Sequence, residues 1–386
     1  MAVDARVSEY LLELLRCGVN DTIPSEKPEG VSWEAVYAFA KRHSVSALAF
    51  YALRTRKDEL PAALAEEWEE QNAKLLAQYI NQEHELAQLC SIFEQEHIPY
   101  MPLKGSCIRQ FYPSPETREM CDVDVLVPRE SEEQTHEILL ANGYSFLASH
   151  TTSHNREYHK APYLNIEIHT KLYPQERVEA AYFNDVWMRA ECCEGGYAYR
   201  LSWNDFFVFA IAHAFKHYYR IGTGIRSVLD IYVMKKALGE QLDEDYIRTE
   251  LKKLSMLTFY ETISELAESW FSPDHTAPVG AVEEMAHNIL CGTTYGVNQG
   301  AVQNAVAGYM RRGKSASGAK LSVTIRKIFP SRAFMKSMYP MLGKSPFLLP
   351  FCWVARWFRI LFTEPKKLSE FFRNLRKKNI YGRERK

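Results

Sequence analysis

The sequence predicts an α+β chain: a small mixed-sheet unit set between helical regions. Three observations lead there. Residues 1–97 carry apolar residues at helical spacing with no β-rich segment. Residues 98–203 read instead as short apolar runs cut by Gly and Pro, strand alternating with helix. From Asn204 the helical pattern returns through about residue 310, and residues 311–386 form a basic, aromatic tail.

Each element has its own signal. Leu11, Leu12, Leu14 and Leu15 make a helical stripe; Trp33 to about Arg54 makes a second, and Leu60 to about His97 a long third. IPYMPLKG is a strand ending in a turn, SCIRQFY one or two helical turns, and PSPETREMC a loop punctuated by two prolines. DVDVLVP is a strand stopped by Pro128. Ser131 and Gln134 then fit a capping box opening a helix that ends at Gly143. YSFLA, REYHKA and YLNIEIHTKLY follow as strands, which implies a mixed sheet. DFFVFAIAHAFKHYYR and IRSVLDIYVMKKALG begin the next helical region. RRGKSASGAK, residues 311–320, reads as a basic linker, and no internal repeat is present.

Composition bounds the class. With 386 residues, 46% hydrophobic and 25% charged, the chain is an ordinary globular protein, long enough for a real core. Its charge is unevenly placed. Residues 1–100 hold 9 Lys/Arg and 17 Asp/Glu, whereas residues 311–386 hold 20 Lys/Arg and 3 Asp/Glu. Such a tail suits an anionic partner, a membrane surface or nucleic acid. Eight cysteines without a CxxC spacing argue against a zinc ribbon or a disulfide scaffold and for a reducing compartment. The N-terminus lacks a signal-peptide layout. The apolar stretch 347–362 is too short to span a bilayer and contains Arg356 and Arg359. The expected location is the cytoplasm, with peripheral contact at the inner membrane face open to the tail.

The chemistry lies in D-V-D-V-L-V. In a strand, residues two apart share a face, so Asp122 and Asp124 point one way and Val123 and Val125 point into the core. Paired carboxylates repel unless a cation neutralises them, and hard oxygen ligands suit Mg²⁺, or Mn²⁺ in its place. Glu167 lies on the polar face of a later strand with His169; if that strand neighbours DVDVLV, three carboxylates converge. Carboxylates around one or two such ions serve nucleotidyl transfer, with Glu167 as metal ligand, general base or both. Gly105 and Ser106 follow the first strand and open a helix, where backbone N–H groups can meet phosphate; Lys104 and Arg118 could add contacts.

The pattern L-K-G-S, a loop, R-x-x-x-D-x-D-x-L-V and a strand with E-x-H resembles the nucleotidyltransferase superfamily of the polymerase-beta type, and within it the bacterial family of uncharacterised nucleotidyltransferases. The resemblance covers about residues 98–240 and faintly the LLPFCWVARWFR segment. It implies a nucleoside triphosphate substrate, Gly105 and Ser106 as the glycine motif, Asp122 and Asp124 as the paired acids, and Glu167 as the third acid. His213, His217 and Asp230 fall at the family's recurring polar positions. Lys104 departs from the pattern, since most of the superfamily has an aliphatic residue there. The gap between glycine motif and acid pair is also long, as in antibiotic-modifying branches.

Blander readings stand beside these. Asp-x-Asp also occurs on solvated hairpins. His213 and His217, four apart on a helix, could hold zinc, but no HExxH glutamate or third ligand accompanies them. They read better as cleft-facing or core histidines, and His169 as functional or structural. The resemblance suggests a surface-polysaccharide precursor or another small molecule as acceptor. Two alternatives remain open: a non-catalytic nucleotide-binding or membrane-associated module, and a toxin-like nucleotidyltransferase acting on RNA.

Overall fold

The structure is a computed structural model. It describes residues 4–292 apart from 149–151, 153, 163, 175–177, 194 and 221, and beyond them 315–330, 332, 335, 339–343 and 345–363. The chain divides into two compact units, Met1–His213 with Ile225–Leu290, and Ala214–Gly224 with Cys291–Lys386.

In the first unit four helices precede the sheet: α1 (Ala5–Asn20), α2 (Trp33–Arg42), α3 (Ser46–Ala52) and α4 (Ala62–Gln95). The stripe expected over Trp33–Arg54 is thus broken in two. Ser44 takes φ +52° between the halves, a left-handed conformation no helix can contain. Leu11, Leu14 and Leu15 of α1 are fully buried, as their spacing requires.

The sheet has five strands: β1 (Met101–Leu103), β2 (Val123–Leu126), β3 (Ser145–Phe146), β4 (Asn155–Lys160) and β5 (Leu164–His169), in the order β1-β2-β5-β4-β3. β2 and β5 run parallel at its centre, and the other pairs are antiparallel. One face carries Val123, Val125, Ile166, Ile168 and Tyr158, all buried together with Leu89 and Phe93 of α4. Burying that face fixes the register, because a slip of one residue would send Asp124 and Glu167 into the core.

Two connections bear on the site. Between β1 and β2, α5 (Gly105–Ile108) is one helical turn, continued by 3₁₀ turns at Arg109–Phe111 and Pro115–Thr117. After β2, the expected helix is α6 (Glu132–Ala141), and Gly143 follows it at φ +81°. The capping box does not form. Ser131 ends a 3₁₀ turn with φ −89° and ψ 0°, so its side chain is not in the extended setting a cap needs and makes no capping hydrogen bond.

Beyond β5 come α7 (Val178–Phe183), α8 (Val186–Arg189) and a hairpin of β6 (Ala190–Cys192) and β7 (Tyr199–Leu201) that the sequence reading lacks. Next are α9 (Trp203–Arg220), α10 (Ile225–Leu238), α11 (Glu244–Lys253), α12 (Leu257–Phe271) and α13 (Gly280–Leu290). α12 returns to α1: Asn20 donates its side-chain amide to the Phe271 carbonyl at 2.7 Å. In the second unit, α14 (Ala316–Ile328) and α15 (Leu349–Thr363) are described. Residues 316–320, read as linker, therefore open α14; residues 311–314 and the tail from 364 lie outside the described residues. Among the described residues, no helix is long and apolar enough to cross a membrane.

Candidate active site

The parallel pairing of β2 with β5 sets Asp124 directly opposite Glu167, and Leu126 opposite His169. Side chains two apart share a face, so Asp124, Glu167 and His169 meet on the side away from the core. Their ligand atoms lie within 4.8 Å of one another. His169 Nε2 is 2.7 Å from Asp124 Oδ1 and 3.2 Å from Glu167 Oε2. Asn155, opposite His169 on β4, donates its amide to Glu167 Oε2 at 3.1 Å.

Asp122 stands one residue before β2, half-buried, and makes no hydrogen bond or ion pair with a described residue. Burial and the neighbouring Asp124 charge push its carboxyl up to about 6. Asp124 behaves oppositely. Burial would raise it too, but the Lys104 ammonium and the His169 hydrogen bond hold it below the usual carboxylate range. Glu167 is likewise opposed by burial and brought below its ordinary value by His169. The site thus holds more acid than its cations balance.

Lys104 supplies one of those cations, its Nζ 2.5 Å from Asp124 Oδ1. The backbone there has φ +49° and ψ −120°, a turn geometry that favours glycine. Gly105 follows for a different reason. A Cβ on it would fall 2.2 Å from Met120 Sδ and 2.5 Å from Arg118 Nη1, so any side chain there would have to displace the ends of these two. The Cys107 and Ile108 N–H groups both bond the Lys104 carbonyl, which places the Gly105 and Ser106 N–H ahead of the helical ladder. Ser106 Oγ and His169 Nδ1 are buried with no hydrogen-bond partner among the described residues.

Arg118 is not the open phosphate clamp the sequence suggested. It is buried, and its Nε and Nη2 both reach Asp230 on α10 at 2.8 Å, where Tyr112 also donates at 2.8 Å. Burial opposes the Arg118 charge but Asp230 outweighs it and raises its pKa. Asp230 is thus the partner of a buried strut, with only Arg118 Nη1 left toward Gly105. His213 is half-buried on α9 beside the Phe209 ring, and His217 lies in the part of α9 that groups with the second unit. The cluster of metal-capable groups found among the described residues contains neither.

Two residues escaped the sequence reading. Asn155 reaches Glu167 only through strand register, which no local signal gives. Arg226, second in α10, donates to the Glu119 carbonyl at 2.6 Å, and its charge acts on Asp122. Gln78 and Gln82 of α4 hold the next carbonyl, Met120, at 2.9 and 3.1 Å. α4 and α10 thereby fix the loop that delivers Asp122.

The fold thus sets Asp124 on β2, Asp122 just ahead of that strand, Glu167 on the parallel neighbour and a glycine turn on one side of the sheet. Residues 29–272 match the family described as uncharacterised nucleotidyltransferase, more than half of the chain, and the chain belongs to that family. It is therefore a transferase of phosphorus-containing groups. Among solved structures, that of the antibiotic-resistance factor ANT(2'')-Ia is similar at 13% identity and a TM-score of 0.35, over 47% of this chain and 97% of that one. No curated protein matches the chain.

Proposed function

We propose that this chain moves a nucleoside monophosphate from a nucleoside triphosphate to a hydroxyl or phosphate acceptor. The observation that carries the reading is Asp124 set against Glu167 across parallel strands, with Asp122 beside them making no hydrogen bond or ion pair with a described residue. A divalent cation, Mg²⁺ or Mn²⁺, fits this donor set: the ligands are hard carboxylates, and Asp122 is a half-buried acid with no direct ion pair to a described residue. Asp122, Asp124 and Glu167 would hold it. When bound, such a cation neutralises triphosphate oxygens and lowers the pKa of an attacking hydroxyl.

The chain's own residues do the rest. An acceptor oxygen attacks the α-phosphorus, the bond to the bridging oxygen of the β-phosphate breaks, pyrophosphate leaves, and the proton of a hydroxyl acceptor passes to solvent. Glu167 is held below its ordinary pKa, which makes it a better ligand than base. His169 and Asn155 orient it through Oε2. The Gly105-Ser106 turn offers backbone N–H groups, and the buried Ser106 hydroxyl a further donor, to phosphate oxygens. Lys104 brings a permanent positive charge to the same place. A small-molecule acceptor, such as a surface-polysaccharide precursor, fits the resemblance.

Incubation with each α-labelled triphosphate, Mg²⁺ and cell extract tests this. The wild-type chain transfers label and releases pyrophosphate, and the Asp122→Asn/Asp124→Asn double variant does not. Equal signals from both would refute the reading. Lys104 favours a second reading, a nucleotide-binding module in which its ammonium stands in for the cation on Asp124. Metal-independent triphosphate binding without turnover would establish that instead.

A further inference from the structure

The second unit contains a helix whose outer face is the reverse of an ordinary amphipathic one. On α15, Phe351 is 73% exposed, Val354 56% and Phe358 58%, and Phe347 just before the helix is 86% exposed. Pro350 and Ala355 are exposed as well. These positions share one side of a 3.6-residue repeat, and none is polar. The opposite side is occupied: Cys352 is buried with Met335 and Leu342, and Arg356 is buried beside the Trp357 ring. Trp353 and Trp357 donate their indole N–H groups to the Pro330 and Ile328 carbonyls at 3.0 and 2.9 Å. These bonds fix which way α15 is turned. α14 presents Leu321 and Ile325 outward, followed by Phe329. Scattered exposed apolar residues need no explanation, but runs along two successive helices do.

Charge identifies what covers them. Residues 315–363 contain 8 Lys/Arg and no Asp or Glu, and residues 364–386 add 9 Lys/Arg against 3 acids. We propose that α14 and α15 form a docking element for an anionic phospholipid surface, with their apolar faces lying among the headgroups and the basic residues meeting lipid phosphates. The element lies on the bilayer and does not cross it. Fifteen residues of helix reach about 22 Å, against about 30 Å of hydrocarbon. Nucleic acid would call for cations on the exposed face, and the outward face of α15 from Pro350 to Phe358 has none. This proposal is independent of the transferase reading.

Flotation of the full chain with vesicles tests it. Vesicles of phosphatidylcholine with one quarter phosphatidylglycerol should carry the chain at least tenfold better than phosphatidylcholine alone, and 0.5 M salt should weaken that binding. The Phe351→Ser/Val354→Ser/Phe358→Ser variant should lose at least tenfold, with its circular dichroism and melting midpoint unchanged. A Phe351→Leu/Phe358→Leu variant, which keeps the apolar face, should bind like wild type. Failure to float, equal flotation on both lipids, or a serine variant that floats like wild type would overturn the proposal. So would a wild-type dimer that the serine variant turns into monomer while neither floats, because a second copy would then cover the face. Retardation of nucleic acid with no vesicle binding would overturn it in favour of that partner.

Discussion

Two buried charge clusters lie close together in the first unit, and they are built on opposite principles. Around Arg118 the account is closed: one guanidinium, one carboxylate, two parallel 2.8 Å bonds and a tyrosine hydroxyl to complete them. Around Asp124 it is open. Three carboxylates face Lys104 and His169; among the described residues Asp122 has no bonded partner, and the buried Ser106 Oγ and His169 Nδ1 have none either. A closed cluster holds a fold together, while an open one carries charge and polar groups that a ligand can pair.

The comparison breaks first at Asp124. Asp124→Asn or Glu167→Gln should lower transfer by about 10³-fold, read from label incorporation, because each removes charge stabilisation that acts during the reaction. Asp124→Asn should also lower the melting midpoint, because it leaves the Lys104 ammonium without its carboxylate. In the closed cluster the loss should fall on stability. Arg118→Ala leaves the half-buried Asp230 with only the Tyr112 hydroxyl and no cation, and should cost about 3 kcal/mol of stability by denaturant titration. Activity loss without destabilisation would move Arg118 back among the phosphate ligands.

Smaller effects sharpen the contrast. His169→Ala or Asn155→Ala should weaken divalent-cation binding about 10–100-fold by calorimetry, as expected for groups that orient ligands. Asp122→Asn should stabilise the metal-free chain above about pH 6. A carboxyl whose pKa is raised on folding favours the fold while protonated. Its contribution is whole below about pH 4 and is lost as pH rises through about 6. For a half-buried group the gain is about 1–2 kcal/mol at pH 7.5. It should vanish near pH 4, which paired melting curves in chelator would register.

How much of this was legible in the sequence follows the range of each interaction. Asp124 and Val125 declared their faces through period-two alternation, and Glu167 through the same pattern, so the shared face needed only the strands' adjacency. The glycine at 105 was readable as a motif, but its cause, the packing of Met120 and Arg118 against it, was not. Arg118 and Asp230 are 112 residues apart, and nothing local says that an arginine near acids will spend its charge elsewhere. Asn155 depends on the β4–β5 register. The β6–β7 hairpin did carry a signal, Gly195-Gly196 between two short runs, which went unread. The capping box failed because a 3₁₀ turn had already claimed Ser131.

Titration of the metal-free chain with Mn²⁺, followed by the loss of free-ion paramagnetic resonance signal with and without a non-hydrolysable triphosphate, tests the open cluster most directly. Saturable binding that the triphosphate tightens, and that Asp122→Asn and Asp124→Asn each abolish, is the result expected. Binding that is absent, or that survives both substitutions, would mean that the acids on β2 and β5 hold no catalytic ion.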